Sequence, residues 1–290
     1  MANNFWKSSH CEQWILDKTD LIRERANDLK TLTEDEYHQI MIYFVNYIHS
    51  LADTCGIQNP HLNTRQQVLW TACVYFRRFY ARRSLKDIDP FLLSHTCLYL
   101  ARRVDEMPPI NSRLFIAAVN AAGKNKPWFQ QIPETENQNY MRLINEAEFY
   151  LLEILDCSLL VFNPYRDLDR IFQDMTEEER VREEGVRQEA WRLINDALRT
   201  DACLLYPPHQ IAISALMGAV ILLQRQEAFK PIFQNIATDY DDTIFDILKI
   251  IVGVYNLYAQ VLDNDNCAEN IAKLFVKIPK PVQLTAVGMM

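Results

Sequence analysis

The sequence predicts an all-α protein built from two tandem five-helix bundles, with an extra N-terminal helix and a short C-terminal helix. Three observations predict this fold class. Apolar residues recur with helical rather than strand periodicity along most of the chain. Only 6 of the 290 residues are glycine, which disfavours folds rich in tight turns and bulges. The second half of the chain also repeats the helix pattern of the first half.

Five helices are expected in the first bundle, over 34–52, 64–83, 89–106, 111–122 and 137–156. Two of them begin with a recognisable start signal. Thr33 and Glu36 have the spacing of a capping box in front of a long apolar run. Asp89 and Pro90 have the residue types that favour the N-cap and the first helical turn. Local sequence alone therefore predicts where these two helices begin.

The second bundle is predicted from an internal repeat with a shift of 118 residues. This shift aligns Ala72 with Ala190 and Pro90 with Pro208, and the loop between them keeps its length. The repeat predicts a first helix at 165–175 and a last helix at 240–262. The counterpart of the 89–106 helix is apolar on every side, so the other helices should wrap around it. The predicted segments are an N-terminal helix within 1–33, bundles at 34–160 and 161–264, and a C-terminal helix and tail at 265–290.

The chemistry needed by an enzyme is missing from the sequence. No GxGxxG, P-loop, HExxH or GxSxG motif occurs, and the six histidines lack the spacing of metal ligands. His95 lies in the middle of a predicted helix among apolar residues, so it is interpreted as a satisfied core histidine. The sequence therefore predicts a binding protein without catalytic residues, metal or cofactor.

Net charge and cysteine content further limit the classes of protein that the sequence fits. The formal net charge of −8 disfavours wholesale binding to duplex nucleic acid, because phosphate neutralisation drives most of that affinity. The 7 cysteines include no CxxC pair and are interpreted as buried thiols of a reducing compartment. The acidic run at 177–184 is interpreted as a solvated loop or helix face.

A basic stretch at 75–86 interleaves arginines with aromatic residues. Three interpretations are open: guanidinium groups on phosphates with aromatic rings on bases, a surface for a protein or phosphoprotein partner, or a solvated arginine stripe beside buried aromatic residues. The last is favoured, because Phe76, Phe79 and Tyr80 fit the buried face of the helix. Its members would be Arg77, Arg78, Arg82, Arg83 and Lys86.

Several strings resemble the cyclin family. "RQQVLWTACVYFRRFYARRSLKDIDP" followed by "CLYLARRVDE" resembles the first cyclin box, and "EAEFYLLEILDCSLLVFNPY" resembles its fifth helix. The N-terminal "NFWKSSHCEQWILDKTDLIRER" and the later "ACLLYPPHQIAISAL" are similar to transcriptional cyclins. The resemblance covers roughly residues 3–280 and implies that the two bundles are cyclin boxes.

The resemblance also implies a function. Cyclins bind a cyclin-dependent kinase and activate it without catalytic activity of their own. The transcriptional type implies the kinase of the Mediator kinase module as partner, other subunits of that module as further partners, regulation of RNA polymerase II transcription, and location in the nucleus. The first helix lacks the "MRAIL" docking pattern of cell-cycle cyclins, and Arg77 stands where those cyclins often have Asp.

Site residues follow from the same resemblance. Arg103, where the family usually has Lys, and Glu148 match the pair that grips the kinase backbone. Asp105 and Glu106 would extend this charged rim. The remaining expectations are Trp6 and Trp14, in an N-terminal amphipathic segment that also meets the kinase, and Asn195 with Asp196, in a groove for another Mediator subunit or on a solvated helix face.

Two other classes compete with a cyclin. A nucleic-acid adaptor of the TFIIB type would reuse the same fold, but the acidic balance and the lack of a zinc ribbon count against it. An all-helical enzyme of a new kind is the other, and the sequence offers no catalytic constellation for it.

Overall fold

The computed structural model describes residues 4–58, 60–124, 129–235, 241–262 and 267–278, and every regular element in these ranges is helical. In chain order the α-helices are α1 (Ser9–Gln13), α2 (Lys18–Glu24), α3 (Glu34–Gln58), α4 (Gln66–Arg82), α5 (Pro90–Val104), α6 (Ser112–Gly123), α7 (Asn137–Ile154), α8 (Tyr165–Gln173), α9 (Glu177–Arg182), α10 (Glu184–Ala197), α11 (Ala202–Leu205), α12 (Pro208–Leu222), α13 (Gln226–Asn235), α14 (Asp241–Leu262) and α15 (Cys267–Lys277). Short 3₁₀ turns lie at Phe5–Lys7, Arg25–Lys30, Pro60–Leu62 and Glu134–Glu136. The predicted all-α class is confirmed.

The chain forms two compact units. One unit joins Met1–Leu16 to Leu160–Asn256, and the other joins Asp17–Leu159 to Leu257–Met290. No helix among the described residues has both the length and the apolar character needed to cross a bilayer.

The unit formed by Asp17–Leu159 and Leu257–Met290 contains the first bundle, with α5 at its centre. α5 packs against α3, α4 and α7, while α6 and α15 pack against α3. The predicted start signals are confirmed: Asp89 Oδ1 accepts hydrogen bonds from the backbone N–H of Phe91 and Leu92 at 2.8 and 3.1 Å. At the start of α3, Thr33 and Glu36 bond reciprocally at 3.0 and 3.2 Å.

The unit formed by Met1–Leu16 and Leu160–Asn256 contains the second bundle, with α12 at its centre. α12 packs against α8, α10, α11 and α13. Gly218 lets α12 approach α10 and α14, since a Cβ there would lie 2.9 Å from side-chain atoms of both Leu193 and Leu248. The prediction that other helices wrap α12 holds for most of its length, but Ile221 and Leu222 in its last turn are exposed.

The internal repeat extends to the ends of the two central helices. α5 and α12 both have 15 residues and a proline in the first turn. Both helices end in a Schellman motif. At the end of α5 the N–H of Met107 donates to the carbonyl of Arg102, and at the end of α12 the N–H of Arg225 donates to the carbonyl of Val220, each at 2.9 Å. The left-handed residue of each motif is Glu106 or Gln224, at φ 52° and 56°. The predicted shift of 118 residues is confirmed for this helix pair.

The N-terminal segment differs from the single amphipathic helix that was expected. It contains two short helices, α1 and α2, followed by a 3₁₀ turn. Each of the two helices begins at a side-chain N-cap. Ser8 Oγ accepts a hydrogen bond from the N–H of Cys11 at 3.3 Å at the start of α1, and Asp17 Oδ1 accepts one from the N–H of Thr19 at 2.7 Å at the start of α2. Between them, the N–H of Leu16 bonds to the carbonyl of Leu204 at 2.8 Å. These caps and this tertiary bond compete with one continuous helix.

Two interpretations of charged and thiol groups need correction. In the acidic run predicted to be solvated, Glu183 is buried where α9 meets α10. Among the cysteines predicted to be buried, Cys157 is exposed just after α7, although Cys55, Cys73, Cys97 and Cys203 are buried.

Candidate functional site

The C-terminal end of α5 positions the charged residues that the sequence singled out. Arg103 lies in the last turn of the helix, Asp105 caps it, and Glu106 adopts the left-handed conformation that turns the chain away. Arg103 and Glu106 are exposed, and Asp105 is partly exposed with one carboxylate oxygen 3.9 Å from Arg65 Nη1. Both acids therefore lie beyond the helical residues, so the helix dipole acts on them less than the sequence suggested.

Arg103 and Glu148 form an ion pair between α5 and α7. Arg103 Nη1 donates to both oxygens of Glu148, each at 2.7 Å. The Arg103 side chain is 59% exposed and the Glu148 side chain 11%. The Arg103 guanidinium also lies 6.0 Å from the ring centre of Tyr99, one turn earlier on α5. Arg103 Nε and Nη2 donate no hydrogen bond to the described residues, so they are available to acceptors on another molecule.

The neighbouring Arg102 has a structural role. Its guanidinium is buried and donates to the carbonyl of Leu62 and the hydroxyl of Thr64, both at 2.8 Å. It also reaches the carbonyl of Pro108 at 3.4 Å. Arg102 thus ties the end of α5 to the segment before α4, and this holds Arg103 in place.

The basic stretch at 75–86 is not a solvated arginine stripe, so that interpretation is corrected. Arg77 and Arg78 are buried. Arg78 Nη1 donates to the carbonyl of Ser158 at 3.3 Å, and Arg82 Nη1 donates to that of Ile154 at 2.9 Å. Carbonyls at the end of a helix lack partners within it. Arg82 satisfies that of Ile154, the last residue of α7, and Arg78 bonds to the segment that follows the helix. Only Arg83 and Lys86 of the five are well exposed.

His95 is a satisfied core residue, as the sequence predicted. Its Nε2 and Nδ1 are each 2.7 Å from a tyrosine hydroxyl, those of Tyr47 and Tyr140. Burial lowers the pKa of His95 to about 3, because the charged imidazolium is disfavoured away from water. In the described residues no three His, Cys, Asp or Glu side chains are grouped so that they could hold a metal ion.

The two N-terminal tryptophans have different environments. Trp6 is 61% exposed, and its ring centre lies 5.3 Å from those of Phe5 and His209. It borders a cavity of about 630 Å³. Trp14 is fully buried, so the structure gives it a packing role and leaves only Trp6 accessible.

Asn195 and Asp196 belong to a polar cluster rather than to a solvated helix face. Asn195 Oδ1 accepts from the hydroxyl of Tyr165 at 2.5 Å. Asp196 accepts from Arg199 Nη1 at 2.8 Å and from the hydroxyl of Tyr255. Burial raises the pKa of Tyr255, as does its bond to Asp196. The sequence analysis missed Tyr255, since it lies 59 positions from Asp196 and no local pattern joins them.

Family models match most of the chain. The cyclin N-terminal domain matches residues 24–160, and the cyclin C-terminal domain matches residues 163–259. Cyclin-C of Drosophila melanogaster is 45% identical over 97% of this chain and 98% of its own length. Cyclin-C of Rattus norvegicus is 42% identical over 97% and 92%, and that of Caenorhabditis elegans is 35% identical over 98% and 95%.

Solved structures share the fold at lower identity. A chain in the CAK complex from Chaetomium thermophilum bound to ATP-gamma-S aligns with a TM-score of 0.61 at 18% identity, covering 96% of this chain and 89% of that one. A chain in the yeast TFIIK (Kin28/Ccl1/Tfb3) complex aligns with a TM-score of 0.60 at 22% identity, covering 85% and 100%.

Two helical bundles related by an internal repeat, matched in turn by the two cyclin domain models, define the class of this protein. The chain belongs to the cyclin family, whose members are regulatory subunits. Within that family the chain is similar to Cyclin-C in particular, since the Drosophila, Rattus and Caenorhabditis relatives are all Cyclin-C. The resemblance to transcriptional cyclins inferred from the sequence is therefore confirmed, and its type is Cyclin-C.

Proposed function

We propose that the chain is the regulatory subunit that binds and activates a transcriptional cyclin-dependent kinase in the nucleus, within the Mediator kinase module, and so regulates transcription by RNA polymerase II. The observation that carries the proposal is the Arg103–Glu148 ion pair, in which Arg103 is exposed and Glu148 is largely buried. The two residues stand at the positions that match the cyclin residues that grip the kinase backbone. Relatives of the Cyclin-C type support it. Solved chains of the same fold occur in kinase complexes, including the yeast RNA Pol II CTD kinase CTDK-1.

The geometry suits this task physically. Glu148 holds Arg103 before any partner arrives, so less side-chain freedom is lost on binding than for an unpaired arginine. The free donors of Arg103 suit backbone carbonyls of the kinase, and Asp105 and Glu106 extend the charged rim. Activation then requires only that this surface bind the active kinase conformation more tightly than the inactive one.

A charge exchange tests the proposal. In Arg103→Glu/Glu148→Arg the attraction between the two positions remains, but the charges presented to the kinase are reversed. We expect affinity for the kinase, measured with purified proteins, to fall by at least roughly tenfold, or about 1.4 kcal/mol. Arg103→Ala, at an exposed position, gives a second reading if the exchange impairs folding.

The matched control exchanges another arginine–glutamate pair on α7. Arg142 and Glu146 are 3.6 Å apart and well exposed, and at 100° per residue they lie well round the helix from Glu148. Arg142→Glu/Glu146→Arg should leave kinase affinity unchanged. The proposed interface would be rejected if the kinase bound the wild type, both exchange variants and Arg103→Ala with equal affinity. Circular dichroism must show that the variants keep their helical fold.

We further propose that Trp6 contacts the kinase, and that Asn195 and Asp196 face another subunit of the kinase module. An exposed tryptophan beside a cavity is a frequent binding anchor, and the cluster around Asp196 offers fixed polar groups. Trp6→Ala should weaken kinase binding, whereas Asp196→Ala should weaken assembly with the other module subunits while kinase binding is kept. Phe245→Ala, at an exposed aromatic residue of α14, is the control and should retain assembly.

A further inference from the structure

Arg102 carries a buried charge that no acid of the described residues neutralises. The residue is 2% exposed, and its three hydrogen bonds go to neutral acceptors, the carbonyls of Leu62 and Pro108 and the hydroxyl of Thr64. Its Nε is buried and donates to none of the described residues. Burial lowers the pKa of Arg102, and no neighbouring carboxylate offsets this shift. Arginine is rarely buried without an ionic partner, so this charge lacks the partner it normally has.

Arg102 lines a cavity of about 160 Å³ at the C-terminal end of α5. This volume is below the range of pockets for drug-sized ligands and suits a single side chain. Arg103 and Tyr99 also line the cavity, and Met107, Ile110 and the two prolines between them form the rest of its wall. The wall therefore contains two guanidinium groups and no carboxylate.

The two guanidinium groups have different roles in the cavity. Glu148 balances the charge of Arg103 and takes both bonds of its Nη1, which leaves three N–H donors on Nε and Nη2. Arg102 has no such partner, so its charge is the one in excess. The cavity thus combines an uncompensated buried charge with exposed donors beside it.

The two acids that follow α5 do not supply the missing partner. Asp105 Oδ2 lies 3.9 Å from Arg65 Nη1, and Glu106 is exposed, where water and salt screen its charge. Neither side chain lines the cavity. The cavity therefore favours an anion from another molecule.

We propose that the cavity receives the carboxylate of an aspartate or glutamate side chain of the bound kinase. This carboxylate accepts hydrogen bonds from the free donors of Arg103 and lies against the guanidinium of Arg102. Hydrogen bonds between such charged groups are stronger than those between neutral groups. The inference rests on the proposed function, because a kinase that contacts Arg103 contacts a wall of this cavity.

The test places a carboxylate in the cavity from the chain itself. Ile110→Glu does so from a half-buried position of the wall, and Ile110→Gln is the matched control without the charge. Without kinase, Ile110→Glu should need more urea to unfold than Ile110→Gln at pH 7, because its carboxylate neutralises Arg102. With purified kinase, Ile110→Glu should bind at least roughly tenfold more weakly than Ile110→Gln, since the cavity is already filled.

A second arm finds the residue on the kinase. Exposed aspartates and glutamates of the kinase are changed one at a time to the amide, and affinity is measured by calorimetry. One kinase variant should bind the wild-type chain at least roughly tenfold more weakly. The same kinase variant should lose much less affinity for Ile110→Glu, because the two changes remove one interaction.

Ser112→Glu controls for added negative charge, since Ser112 is exposed and does not line the cavity. It should bind the kinase like wild type. Three results overturn the inference: Ile110→Glu unfolds at the same or lower urea concentration than Ile110→Gln, these two variants bind the kinase equally, or Ser112→Glu binds as weakly as Ile110→Glu. If Ile110→Glu does not fold, Pro109→Glu against Pro109→Gln, at an exposed position of the same wall, replaces it.

Arg103→Ala separates failure of this inference from failure of the proposed function. If Arg103→Ala weakens kinase binding while the Ile110 variants bind equally, the kinase interface stands and the cavity is rejected. If the wild-type chain binds no kinase, both are overturned.

Discussion

Arg103 stands where cyclins usually have lysine. Its contacts explain why either arginine or lysine suits the proposed contact with a kinase. A single nitrogen, Nη1, makes both bonds to Glu148. A lysine ammonium has three donors and can reproduce these bonds while keeping one donor for a partner. The extra donors of arginine widen the surface offered to the proposed kinase partner but are not needed to hold Glu148.

We therefore predict that Arg103→Lys keeps kinase affinity within roughly threefold of wild type, because charge and pairing are retained. Arg103→Ala should lose at least roughly tenfold, or about 1.4 kcal/mol. Affinities measured by calorimetry on the same preparation of kinase check both. A loss as large for lysine as for alanine would mean that the kinase requires the planar guanidinium.

His95 gives a pH-dependent contribution to stability. Its pKa is lowered to about 3 in the folded state, against about 6.5 when unfolded. The unfolded chain therefore binds a proton below pH 6.5 that the native histidine does not, and stability falls as pH drops towards 3. Between pH 6.5 and 5 the loss from this residue should be about 1.5 kcal/mol.

Urea unfolding at both pH values measures this loss, with His95→Phe as comparison. The variant loses the bonds to Tyr47 and Tyr140 and should be less stable at both values. Its stability should nevertheless change less between them. The same pH dependence in wild type and variant would assign the effect to other groups.

At the scale of the element, three helices end without the glycine that usually takes the left-handed position after a helix. α5, α7 and α12 all end with a left-handed residue that is not glycine: Glu106, Asp156 and Gln224. A side chain at positive φ costs roughly 1–2 kcal/mol relative to glycine. These turns persist because the Schellman bonds and the packing around them hold the conformation.

Gln224→Gly should therefore stabilise the protein by about 1 kcal/mol, since it removes backbone strain at an exposed position. Chemical denaturation measures the gain. Gln224→Ala is the control and should give none, because alanine keeps the Cβ. Equal effects of glycine and alanine would mean that the backbone there is unstrained.

At the scale of the whole molecule, two arginines of α4, the buried Arg78 and the partly exposed Arg82, connect distant parts of one unit. Arg78 reaches Ser158 over 80 residues and Arg82 reaches Ile154 over 72. The hydroxyl of Tyr75 also donates to the carbonyl of Leu159 at 2.5 Å. These bonds fix the end of α7 and the segment that leaves it towards the second bundle. The burial of Arg77 and Arg78 also removes them from any nucleic-acid surface, which weakens the case for a TFIIB-type adaptor.

Arg78→Ala should destabilise the protein by about 3 kcal/mol, because a buried carbonyl loses its donor and a cavity remains. Arg83→Ala, one turn further along and exposed, should change stability by less than about 0.5 kcal/mol. Denaturant unfolding distinguishes the two. Similar small effects at both positions would contradict the buried role of Arg78.

The sequence by itself determined most of the longer helices, several of their first residues, the repeat and the family, but not the short helices α1, α2, α9 and α11. Asp89 with Pro90, and Thr33 with Glu36, could be interpreted correctly because a cap involves only neighbours along the chain. The tertiary structure alone decided which charged side chains are buried, as for Arg78 and Glu183, and which polar partners meet, as for Asp196 and Tyr255. The physical reason is that a charge can be buried only where distant segments supply donors or acceptors, and no local pattern records where those segments will lie.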